Sequence, residues 1–467
     1  MTVTRLRLAL GLFGCWFALS SMADGVKFHD LRFDQAAERA ASEEKVVFID
    51  FFTTWCLPCK VMDATTFKDP DVAAWLADHT VALKVDAEAN EENAALAKRF
   101  LVESYPNYVY VTPDGEVLDR ITGKRDPDEF VADSEAILAG ENAVTRATRA
   151  LAEGDRNDPT LRMALGRAYA ELGRHEDALR EYLWCFDEGN VHRPAFRGVR
   201  LSYLLINIIA LGQSHQPAHQ AIVARRDAAE QRLLDGSATE DDVNVFVAIN
   251  RELDDSDSTL GMYDKLKDET TLADPVVERL LYWCFDLLVA ARRYGEVVEG
   301  LDIPARAQDD LDQFDRLMAL YAEEYEGRPE ALLLWRDDTA DMVRRDVVAS
   351  YQVLIGVGMH AEAAEIARKL IAKLGDDDAN TLNALAWAGY LTGSPTNANL
   401  AQARMAYELT AGKNIPMVNT LARVLKTLGH GEEAVAVAEQ GVADAVTDDG
   451  REIMAACLEY CREPPAG

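Results

Sequence analysis

Cys56 and Cys59 stand two residues apart in the stretch Phe48–Lys60, which reads FIDFFTTWCLPCK. Two thiols at this spacing support either disulfide exchange or metal binding. Zinc takes four ligands, and a second CxxC or a histidine pair normally supplies the rest. No further cysteine occurs before Cys185, and His79 is the only histidine in the hundred residues after Cys59. The residues therefore point to thiol redox chemistry, which needs neither metal nor cofactor, and none is expected.

Exchange requires a thiolate, because the thiolate is the nucleophile. The apolar, β-rich run Val46, Val47, Phe48, Ile49, Phe51, Phe52 predicts a buried strand ending just before Trp55-Cys56-Leu57-Pro58-Cys59, and a helical stretch follows. A cysteine delivered to a helix N-terminus faces unpaired N–H groups and the positive end of the helix dipole, and both favour its ionised form.

The flanking segments alternate between helical and strand patterns. Asp30–Glu44 carries Leu31, Phe33, Ala36, Ala37 and Ala40 at helical spacing, and Asp69-Pro70 marks another helix start. Val81–Val85 is the next strand and Glu91–Phe100 the next helix. Tyr108–Val111 and Glu116–Thr122 predict a hairpin around Thr112-Pro113-Asp114-Gly115, and Asp126-Pro127 opens a last helix to about Leu138. Such alternation implies a mixed sheet covered on both faces.

Residues of about 28–140 resemble the thioredoxin-fold family. Within it they are similar to the exported subgroup that includes the periplasmic C-terminal domain of the transmembrane disulfide reductase. The resemblance rests on the strand Phe48–Phe52, Trp55–Lys60, the segment Thr66–Val72, Lys84-Val85-Asp86, Tyr105-Pro106 and the Asp114-Gly115 hairpin. It implies that Cys56 attacks and Cys59 resolves. It also implies that Pro106 is a cis-proline beside the dithiol, where the Tyr105 backbone pairs with an extended substrate segment. By the same resemblance Asp50 is a buried acid with a raised pKa, able to take the proton from Cys59, and Lys84 is its neighbour. The bland reading of Asp50 and Lys84 is a structural buried pair. For Trp55, shielding of the dithiol and an apolar face for substrate compete with simple packing. Leu-Pro between the cysteines leans, by resemblance, to the reducing side.

The formal net charge is −32, from 80 acidic and 48 basic residues. Such a surface repels nucleic acid and anionic membrane. At 467 residues the chain is expected to hold more than one unit. Arg5 and Arg7, the apolar run Leu8–Leu19 and the exit Ser20-Ser21-Met22-Ala23 predict a secretory signal peptide over residues 1–23, cleaved after Ala23. A lipid-modified Cys15 and an uncleaved anchor are the rival readings. Leu201–Leu211 is apolar but only half the length of about 20 residues that a span needs, so no membrane span is expected after cleavage. The expected location is periplasmic or otherwise exported.

From Glu141 onward a helix-pair pattern recurs. Leu165-Gly166, Tyr169, Gly173, Ala178, Tyr182 and Cys185 fit tetratricopeptide spacing, and Leu421-Ala422, Leu425, Gly429, Ala434 and Ala438 repeat it. Residues 141–467 therefore resemble an all-α tetratricopeptide-type solenoid following the α/β domain of residues 24–140, with a middle (about 195–310) too degenerate to divide. Such arrays offer a concave surface to a peptide or protein, the alternative being an architectural or dimerising arm. Trp184-Cys185-Phe186-Asp187 and Trp283-Cys284-Phe285-Asp286 are near-copies. Their cysteines read as core thiols or as a second redox pair. Cys457 and Cys461 read as core or as a labile pair. His215 and His219 have metal-like spacing, but Pro217 between them predicts a surface loop.

The expected function is an exported thiol–disulfide oxidoreductase, a reductase in direction, acting on a protein disulfide or thiol. It would draw electrons from a protein donor and use the helical arm to bind a partner. The alternatives are an assembly protein whose α/β domain mainly binds, and a disulfide oxidase or isomerase.

Overall fold

The computed structural model describes residues 25–102, 104–269 and 274–463. The signal-peptide reading of residues 1–23, Cys15 included, lies outside them. The chain divides into two compact units, residues up to 142 and residues from 143.

The first unit is a four-stranded sheet in the order β2-β1-β3-β4, built from β1 (Val46–Phe52), β2 (Thr80–Asp86), β3 (Asn107–Val111) and β4 (Val117–Thr122). The central strand β1 runs parallel to β2 and antiparallel to β3, and β3 pairs antiparallel with β4. Alternation along β1 sends Val47, Ile49 and Phe51 to one face, where Ala36, Ala37 and Ala40 of α1 (Phe33–Glu43) and Ala97 of α4 (Glu91–Arg99) close over them. Phe48 goes to the other face, against Met62 of α2 (Leu57–Ala64), Val72 and Leu76 of α3 (Pro70–His79), and Phe130 and Ile137 of α5 (Pro127–Leu138). Burial of a side chain such as Phe48 stabilises by about 1.5–3 kcal/mol.

Local chemistry sets the element ends. Asp69 accepts hydrogen bonds from the Asp71 and Val72 N–H groups at 2.9 and 3.3 Å, and Pro70 occupies the first turn of α3, where a missing N–H costs nothing. Gly115 closes the β3–β4 turn at φ +88°, a conformation that L side chains resist.

The second unit is all helical among its described elements. Consecutive helices pack on each other, for example Pro159–Glu171 on His175–His192 and Ile415–Thr427 on Gly431–Asp444. Small residues set the closeness of approach. A Cβ on Gly166 would lie 2.7 Å from the Tyr182 ring, and one on Gly389 would lie 2.5 Å from Asn399. The stretch from 195 to 310, indivisible in the sequence, resolves into successive helices sharing one core that extends from Ala178 to Ala388.

Two expectations are corrected here. His215 and Pro217 do not form a loop: Pro217 sits in the first turn of the helix Gln216–Asp235, the one helical position that tolerates proline, and His219 is already helical. The apolar stretch is also longer than Leu201–Leu211. It belongs to a 21-residue helix, Pro194–Ser214, long and apolar enough by composition to cross a membrane. The polar flank through Arg197 and Arg200 hides its full length in the sequence. Its Leu204, Leu205, Ile208 and Leu211 are buried in the core of the helical unit, and Arg200 pairs with Asp241 at 3.1 Å.

Candidate active site

The C-terminal end of β1 and the N-terminus of α2 bring the two cysteines together. Cys56 caps α2, its sulfur accepting the Cys59 N–H at 3.1 Å, and Pro58 stands in the first turn. The two are joined as a disulfide and are almost fully buried in that form, 2% and 3% exposed. On reduction, the same N–H is in place to stabilise a Cys56 thiolate.

Beside the disulfide, Trp55 is 65% exposed. Its position is fixed rather than free: the indole Nε1 donates to Glu88 Oε2 at 2.9 Å, and its ring meets Tyr105 edge-on at 6.0 Å. The Tyr105–Pro106 peptide bond is cis, and the Pro106 carbonyl accepts the Gly123 N–H at 3.0 Å. Burial, with Glu88 and Asp86 nearby, raises the Tyr105 phenol above its ordinary pKa.

Beneath lies a charge cluster around the buried Asp50, with Lys84 and Asp63 half-buried. Strand register sets Asp50 on β1 directly between Lys84 on β2 and Tyr108 on β3. Asp50 shares the α2-facing side of the sheet with Phe48. Lys84 Nζ donates to Asp50 Oδ2 at 2.9 Å and to Asp63 Oδ1 on α2, and it lies 4.8 Å from the Phe52 ring centroid. Asp50 is 1% exposed, and its Oδ1 has no hydrogen-bond partner among the described residues. Burial pushes the Asp50 carboxyl up to about 6, against the pull of the Lys84 ammonium. For Lys84, burial alone would lower the pKa, but Asp50 and Asp63 outweigh it and the net shift is upward. Burial raises the Tyr108 phenol well above its ordinary value, and its hydroxyl is likewise without a partner among the described residues.

Every candidate residue from the sequence, Cys56, Cys59, Asp50, Lys84, Trp55, Tyr105 and Pro106, thus lies at the dithiol or on the strands that carry it. Two further members join them in the structure. Asp63 is four residues after Cys59, one helical turn along α2, a spacing that could have signalled it. Glu88 sits in the turn after β2, and no local pattern marks it as the partner of an indole 33 residues away.

The other cysteines belong to the helical unit. Cys185 and Cys284 are buried and free, each donating to a backbone carbonyl, Pro159 at 3.4 Å and Thr259 at 3.8 Å. Burial pushes both thiols up to about 12. The near-copied tetrapeptides therefore hold packing thiols. Among the described residues no group of three or more potential metal ligands occurs.

Residues 33–136 match the family model described as a thioredoxin-like domain. Over 95 residues the chain is 36% identical to the thiol:disulfide interchange protein DsbD of Haemophilus ducreyi, a match covering 20% of this chain and 16% of the relative. The DsbD of Pseudomonas fluorescens is 31% identical over 99 residues, covering 21% and 17%. The chain therefore spans about a sixth of the length of these curated relatives. Among solved structures, a putative disulphide-isomerase from Bacteroides thetaiotaomicron is 38% identical, with 26% of this chain and 98% of that one covered at a TM-score of 0.24. The DsbD C-terminal domain of Neisseria meningitidis is 26% identical, with 22% and 88% covered at a TM-score of 0.20. The N-terminal unit is a thioredoxin-like domain of the thiol–disulfide oxidoreductase type, with Cys56 and Cys59 as its CxxC pair.

Proposed function

We propose that the protein is an exported thiol–disulfide oxidoreductase working in the reducing direction. The observation that carries this reading is the coincidence of a helix-capping Cys56 with a buried Asp50, one of its carboxylate oxygens unpartnered among the described residues, on the strand that delivers it. In the reduced enzyme the Cys56 thiolate attacks a substrate disulfide, one substrate sulfur leaves as a thiolate, and a mixed disulfide forms. Cys59 then loses its proton to Asp50 and attacks Cys56. The second substrate sulfur departs, and the enzyme is left oxidised. Lys84 and Asp63 are positioning residues that hold the Asp50 carboxyl. Trp55, Tyr105 and Pro106 form the face against which an extended substrate segment lies. A protein electron donor returns the dithiol to its reduced state.

Residues 141–467 are, in this reading, a tetratricopeptide-type arm that brings the client or the donor to the dithiol of residues 24–140. The close approaches at Gly166 and Gly389 support the repeat assignment. The helix Pro194–Ser214 is a core helix rather than a span, as its buried leucines and the Arg200–Asp241 pair favour.

Equilibration of the Cys56/Cys59 pair against glutathione, followed by thiol alkylation, tests the direction. A potential near about −270 mV is that of a reductase, and one near about −120 mV would make the protein an oxidase instead.

A further inference from the structure

The helix Asp448–Arg462 carries Cys457 and Cys461 on its buried face, 0% and 2% exposed, over the helix Ile415–Thr427. Unlike Cys185 and Cys284, these thiols have each other. They lie one helical turn apart on the same face, and each donates to a backbone carbonyl of the neighbouring helix, Cys457 to Asn419 at 3.9 Å and Cys461 to Ala422 at 3.8 Å. Residues four apart on a helix have Cβ atoms about 5–6 Å apart, whereas a disulfide wants about 3.8 Å. Oxidation must therefore distort the helix between them. Cys461 is the penultimate helical residue, in the last turn, where carbonyls lack intrahelical partners and opening is least costly.

We propose that Cys457 and Cys461 are a second exchangeable dithiol, oxidised by a disulfide to an intrahelical Cys457–Cys461 bond that unwinds the last turn of the chain's final described helix. The Cys461 sulfur attacks the incoming disulfide and displaces one thiolate. Cys457 then gives up its proton and attacks Cys461, displacing the second. Two electrons pass to the incoming disulfide, which leaves as two thiols. The thiol of Cys457 stabilises a Cys461 thiolate, and Arg423 and Lys426 on the neighbouring helix add to this against burial, so Cys461 lies below the ordinary thiol range. The helix C-terminus, with its negative dipole end, opposes that ionisation.

The test uses the full chain as Cys56→Ser/Cys59→Ser, equilibrated with glutathione disulfide and glutathione at graded ratios, acid-quenched, alkylated and mapped. The expected result is paired loss of Cys457 and Cys461 from the alkylated pool, a linked Cys457–Cys461 peptide, and at least tenfold faster amide exchange after residue 455. Cys185 and Cys284 stay alkylatable, and Cys461→Ser in the same background leaves Cys457 alkylatable throughout. If Cys461→Ser fails to fold, Cys457→Ala supplies the same comparison at Cys461. The proposal is overturned if both thiols survive every ratio, if only glutathione adducts form, if Cys185 and Cys284 are lost alongside, or if exchange in the last turn is unchanged.

Discussion

Lys84 Nζ lies 2.9 Å from Asp50 Oδ2, directly across the β1–β2 register, yet the Asp50 carboxyl still holds its proton up to about 6. Desolvation wins over the ion pair because Lys84 divides its charge between Asp50 and Asp63, and Asp50 Oδ1 has no partner among the described residues.

This arrangement gives stability a pH dependence of definite sign. The unfolded chain releases the Asp50 proton near the ordinary 3.8, and the folded chain keeps it to about 6. The folded state thus binds more protons in that window, and stability falls as pH rises through it, by about 3 kcal/mol once both forms are ionised. Asp50→Asn removes this contribution. Denaturant titrations at pH 5 and pH 8 should show the variant losing about 1.4 kcal/mol less than the parent between the two, the remainder of the effect lying below pH 5.

The same substitution should slow catalysis, through the second step. With no base to take the Cys59 proton, resolution of a mixed disulfide should fall roughly 10²-fold, within the range of general-base effects. Rapid-quench kinetics would then find first-step attack by Cys56 nearly unchanged and the adduct accumulating.

Glu88→Ala releases the indole of a 65% exposed Trp55. One neutral-to-charged hydrogen bond contributes about 1.5–3 kcal/mol at most, and solvent at this exposed site reduces it. A three- to tenfold loss in kcat/KM for a protein disulfide is expected, with thermal stability unaltered. An upfield shift and broadening of the Trp55 indole N–H resonance would report the freed ring.

Two glycines in the helical unit should respond with opposite signs. Gly166→Ala places a methyl 2.7 Å from the Tyr182 ring and should cost about 1–3 kcal/mol. Gly198 is helical and exposed, with nothing within 4 Å of a built Cβ, so Gly198→Ala should stabilise by about 0.5–1 kcal/mol. Urea unfolding followed by circular dichroism separates the two.

Much of the site was legible in the residues because its parts are local. A β-rich run, a CxxC and a proline in the first turn specify a strand feeding a helix whatever the surroundings. Asp69-Pro70 is equally self-sufficient. The Asp50–Lys84 pair needed the family resemblance, since strand register is a tertiary fact. Asp63 and Glu88 were missed because their partners lie 21 and 33 residues away. Pro217 was misread for another reason: proline breaks a helix interior but begins a helix well, and only the true start at Gln216 distinguishes the two. The middle of the helical unit shares one continuous core, with close approaches such as Gly300 on Leu281 that no sequence pattern marks.

The most direct measurement is mechanism-based trapping. Full-length Cys59→Ser, returned to its native host with its own N-terminus, should accumulate discrete disulfide-linked adducts on a non-reducing gel. Those adducts should disappear with reductant and be absent from Cys56→Ser/Cys59→Ser. Adducts that persist in the double variant, or a Cys59→Ser protein that captures none while holding stable non-covalent partners, would contradict thiol–disulfide exchange at Cys56 and leave a binding protein in its place.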